Sequence, residues 1–113
     1  MNEEEKITAE LVQRHFDLPA ENDAATSLEQ IRAALIEKLN FLLDHDFEKL
    51  LWILYRIDVS EQKAKAALAE KSDQPPAEVL ADLIIQRQWQ KAVTRLKYRS
   101  GMKENDDDSF PEH

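Results

Sequence analysis

Apolar residues are densest between Leu28 and Val59, LEQIRAALIEKLNFLLDHDFEKLLWILYRIDV, where they gather in two stretches around the polar break Asp44-His45-Asp46. In the first stretch Leu28, Ile31, Leu35, Leu39 and Leu42 recur at three- and four-residue spacing and form one stripe of a helix, widened by Ile36 and Leu43. Ser27 with Gln30 three residues later supplies a capping box at its start. In the second stretch, Phe47 to Ile57, only Glu48, Lys49 and Arg56 are polar. A helix that is apolar nearly all round has no side to offer to water. The pattern therefore predicts a central rod, enclosed by other helices or by a second copy of the chain. Asp46 suits its N-cap, Glu48 complements the positive end of its dipole, and the short break at 44–46 demands a tight corner.

The flanking segments are also helical in pattern. Ile7, Leu11, Val12 and Phe16 are spaced for a first helix with Thr8 as its N-cap, stopped at Leu18-Pro19 because a residue before proline is driven out of the α region. The small polar connector Ala20 to Thr26 follows, and we expect the first helix to dock on the bundle. After Asp58-Val59, Ser60 caps a helix from Glu61 to about Lys71, in which Ala64, Ala67 and Leu68 permit a close neighbour. The loop Ser72 to Pro75 ends at Pro76, a residue suited to the first helical position. From there a last helix reaches about Tyr98, with Val79, Leu80, Leu83, Ile84, Trp89, Ala92, Val93 and Leu96 facing inward and Gly101 beyond its end. The organisation is a short helix and connector over 1–26, a bundle over 27–101 and a disordered acidic tail over 102–113, with no internal repeat.

Composition sharpens this into an all-α expectation: a small bundle of four to five helices around the 47–57 rod. The 113 residues suit one domain, and Ala, Leu, Glu, Lys and Gln dominate while glycine occurs once. A net charge of -8 disfavours a surface that grips nucleic acid or anionic membrane throughout. No cysteine is present, which removes disulfides, thiolate metal sites and a cysteine nucleophile. The acidic start Met-Asn-Glu-Glu-Glu is no secretory signal, and no apolar run is long enough to span a bilayer. The expected location is cytoplasmic, with no membrane association and no cofactor.

The segment LLDHDFEKLLWILYRIDVSE, Leu42 to Glu61, resembles an uncharacterised family of small all-helical bacterial proteins, and the likeness extends over Leu28 to Arg99, including ADLIIQRQ in the last helix. The resemblance implies a small cytoplasmic bacterial helical domain. It implies no reaction and no site residues.

Three constellations offer chemistry. His45 and Asp46, with His15 upstream and Asp58 downstream, are the residue types of a metal-dependent hydrolase, and His45-Asp46 matches the doublet of HD-type metal phosphohydrolases. The rest of that pattern is missing, and the same residues serve a helix corner as caps. Arg56 suits an anion, or more simply an acid that closes the end of the core. Arg87, Lys91, Arg95 and Arg99 form a basic stripe in a stretch from Leu83 to Lys103 that has no acidic residue. That stripe either meets nucleic acid or is neutralised by the chain's own acids, including Glu104, Asp106, Asp107 and Asp108; we favour the latter. Trp52, Phe41 and Trp89 are candidate interface residues. The preferred reading is a non-enzymatic protein-interaction module and homodimer. The metal hydrolase and a nucleic-acid accessory protein acting through the basic helix are the alternatives.

Overall fold

The computed structural model describes residues 2–18, 27–69 and 74–99, all of them helix or short connection. In chain order the helices are α1 (Glu3–Phe16), α2 (Leu28–His45), α3 (Phe47–Arg56), α4 (Glu61–Ala69) and α5 (Pro76–Arg99). The all-α bundle expected from the pattern is the observed architecture. The expected connector over 20–26, the end of the fourth helix near Lys71 with the loop start at 72–73, Gly101 and the acidic tail lie outside the described residues.

Local chemistry sets most of the helix ends. Ser27 and Gln30 form the reciprocal capping box of α2, with Gln30 N–H donating to Ser27 Oγ at 3.1 Å and Ser27 N–H to Gln30 Oε1 at 2.8 Å. Asp46 caps α3 by accepting from Lys49 N–H at 3.2 Å, and Ser60 Oγ accepts from Lys63 N–H at 3.3 Å at the start of α4. Asp44 and His45 remain helical, so the break between α2 and α3 is Asp46 alone, with φ -152 and ψ 66. The first helix differs from the expectation. It starts four residues earlier than Ile7, capped by Asn2, whose Oδ1 accepts from Glu5 N–H at 2.8 Å while Glu5 Oε1 accepts from Asn2 N–H at 3.2 Å. Glu3, Glu4 and Glu5 in its first turn complement the helix dipole. Thr8 is therefore no cap. It is fully buried inside α1 and its hydroxyl donates to the Glu4 carbonyl at 2.7 Å.

Helix α3 ends in a Schellman motif, with Val59 N–H donating to the Leu54 carbonyl at 3.2 Å and Asp58 N–H to the Tyr55 carbonyl at 3.1 Å. Asp58 takes the left-handed position, φ 65, that such an ending usually gives to glycine.

The core lies where α1, α2 and α5 meet, each packing on the other two, while α3 packs on α2 and α4 on α5. Its centre is Val12 and Phe16 from α1, Leu35 and Leu39 from α2, Leu50 from α3, and Leu80 and Ile84 from α5. Ile7 and Leu11 close the far end of the α1–α5 contact against Ala92. Gln88 sits in the same inward row as Ile84 and Ala92, fully buried, and neither end of its amide has a hydrogen-bond partner among the described residues.

The position of α3 corrects the sequence expectation. Within one chain α3 is not an enclosed central rod; α2 and α5 are the elements around which the others pack. At 100° per residue, Leu50, Ile53, Leu54 and Ile57 fall within one arc of about 100°, and all four are buried. The opposite side of the helix faces solvent although it too is largely apolar.

Candidate functional site

That open side carries four of the six exposed large apolar residues among those described. Trp52 is 59% and Tyr55 82% exposed, and Phe47 and Leu51 are exposed beside them. Arg56, one turn after Trp52, lays its guanidinium over the indole at 4.9 Å from the ring centroid, covering part of it with a cation–π contact. Because α4 packs on α5, a depression of about 520 Å³ remains between α3 and α4, walled by Leu51, Leu54, Tyr55, Val59, Ala64 and Leu68. Phe41 near the end of α2 is also exposed and stacks on His45, with ring centroids 4.4 Å apart and planes at 17°. Of the three aromatic interface candidates, Trp52 and Phe41 are exposed and Trp89 is half-buried on α5. Leu51 and Tyr55 belong to the same surface but were assigned inward by their apolar character. Their phase on the helix, opposite Leu50 and Ile53, is the signal that separates them.

The four metal-ligand candidates are not brought together. His45 is exposed and its Nδ1 lies 3.0 Å from the Phe41 carbonyl, Asp46 is occupied as a cap, and Asp58 pairs with Arg87 at 3.4 Å. His15 is held below the usual histidine range, first by burial and then by the positive charges of Lys91, Arg56 and Arg14. Those surroundings repel a cation. Among the described residues no group of three or more histidine or acidic side chains is placed to hold a metal ion.

Of the basic stripe on α5, Arg87 and Lys91 are half-buried and Arg95 and Arg99 exposed, and its charge is neutralised in part. Arg87 donates to Asp58 and, at 3.1 Å, to Gln90 Oε1; Arg99 reaches Glu3 of α1 at 3.4 Å. Between them Lys91 and Arg95 have no ion pair among the described residues. The two line an open depression of about 810 Å³ with Arg87, Thr94 and Tyr98. Burial, followed by repulsion from Arg87, lowers the Lys91 ammonium from the usual lysine value.

No described helix is long and apolar enough to cross a membrane. The chain matches no protein-family model, and no similar curated protein or solved structure is found.

Proposed function

We propose that this chain is a non-enzymatic helical interaction module that pairs with a second copy of itself through the outer face of α3. The observation that supports this reading is the exposed row Phe47, Leu51, Trp52 and Tyr55. Contiguous apolar surface of this kind marks association sites, and aromatic residues are the usual anchors of such sites. A helix face pairing across a two-fold axis closes on itself, so the assembly stops at two chains. Each large apolar side chain removed from water contributes roughly 1.5–3 kcal/mol before the cost of association. The likeness of Leu42 to Glu61 to small bacterial helical proteins is part of the same proposal, which places the protein in a bacterial cytoplasm and assigns it no reaction.

Sedimentation equilibrium tests the proposal. At micromolar concentration the chain should sediment at twice its 13.1 kDa mass. Trp52→Glu and Leu51→Glu should each sediment as single chains while keeping the helical circular dichroism of the parent. A parent protein that sediments as a single chain at micromolar concentration would contradict the proposal.

A further inference from the structure

The basic face of α5 is a surface with unmet charge. Lys91 and Arg95 stand in one depression with Arg87, and the only acidic residue lining it among those described, Asp58, pairs with Arg87 while also attracting Lys91. From Leu83 to Lys103 the chain has six basic residues and no acid, and immediately afterwards come Glu104, Asp106, Asp107 and Asp108. We propose that the α5 depression is the docking surface of the chain's own acidic segment Glu104 to Asp108, which lies along Arg95 and Lys91 and keeps other polyanions from that face.

Reach, charge and tethering support this occupant. At about 1.5 Å rise per residue, Arg95, Lys91 and Arg87 lie roughly 6, 12 and 18 Å back along the helix from Arg99. The seven residues from Arg99 to Asp106 span up to about 23 Å and the nine to Asp108 up to about 30 Å, enough to reverse and reach Lys91. A short tether holds the carboxylates near the cations at an effective concentration on the order of millimolar, which an untethered peptide does not have. The proton affinity of Lys91 is lowered first by burial and then by repulsion from Arg87, with Asp58 acting in the opposite direction, and a further carboxylate beside it adds to the effect of Asp58. The depression shares Asp58 with the one between α3 and α4 but includes none of Phe47, Leu51, Trp52 and Tyr55, so this inference stands or falls independently of the dimer.

The test compares the full chain with a full-length variant whose tail charge is removed: Glu104→Gln, Asp106→Asn, Asp107→Asn and Asp108→Asn. Binding of each to fluorescent heparin is measured by anisotropy in 20–200 mM salt. The neutral-tail variant should bind at least tenfold more tightly than the parent at low salt, with the difference shrinking as salt rises. A synthetic peptide of residues 103–113 should displace heparin from the variant, and adding Lys91→Gln with Arg95→Gln should abolish the gain. Equal affinity of parent and variant, whether both bind or neither does, overturns the docking. If both bind single-stranded DNA and heparin equally well, the face takes external polyanions and the tail does not cover it. A gain that survives Lys91→Gln with Arg95→Gln also overturns it, because the cations would then lie elsewhere.

Discussion

Leu50 and Leu51 are neighbours in sequence with opposite surroundings: Leu50 is 0% exposed against α2 and the core, and Leu51 is 45% exposed on the outer face of α3. The same contrast separates two larger regions. Helix α2 carries one apolar stripe and buries it, whereas α3 carries apolar residues on both sides and buries only one. Apolar content therefore says how much a helix has to hide, and helical phase says which part the chain itself hides. The unburied part of α3 is the surface on which the proposed pairing rests.

Substitutions at the two leucines should expose this difference with the largest effect. Leu50→Ala should lower folding stability by about 2–5 kcal/mol, the range for truncating a buried leucine. Leu51→Ala should change the stability of the single chain by less than about 0.5 kcal/mol. Urea denaturation at low protein concentration reads both values, and comparable losses would mean that Leu51 is packed within one chain.

Gln88 sharpens the comparison from inside the core. A buried amide without partners carries a desolvation penalty of about 1–3 kcal/mol, so Gln88→Met should raise stability by about 1 kcal/mol. A clear loss instead would show that the amide has a hydrogen-bond partner, such as an enclosed water molecule.

A smaller effect is expected from His15, at the border between the α1–α5 contact and the basic face. Its proton affinity is lowered on folding, by burial and then by Lys91, Arg56 and Arg14, so the unfolded chain holds the proton more readily. Stability therefore rises with pH through the region just below the ordinary histidine value of 6.5 and falls as the solution is acidified there. His15→Gln should flatten this part of the stability-against-pH curve. An unchanged slope would show that His15 titrates normally in the folded chain.

Much of the fold was legible in the residues. The Ser27–Gln30 box, the Asp46 cap, the Pro76 start and the α2 stripe are local signals whose chemistry acts within one helical turn, and the structure uses each of them. The Asn2–Glu5 box is equally local, but it sits in a charged lead and its glutamates masked it. What was not legible depends on tertiary placement. The exposure of Trp52 and Tyr55 follows from which arc of α3 meets α2 and the core, and Gln88 is buried because it shares a row with Ile84 and Ala92. His15 and His45 illustrate the same limit for a site: residue types suited to a metal do not make one unless the fold converges them. Here one lies among cations and the other stacks on Phe41.

The most direct measurement of the central claim is the emission of Trp52 on dilution. The chain has two tryptophans, so Trp89→Phe leaves Trp52 as the only indole. If a second copy covers the outer face of α3, its emission should be blue-shifted at high micromolar concentration and move to the red as the protein is diluted to nanomolar. Emission that stays red at every concentration would mean that Trp52 lies in water in a solitary chain, and that the outer face of α3 is not an association surface between copies.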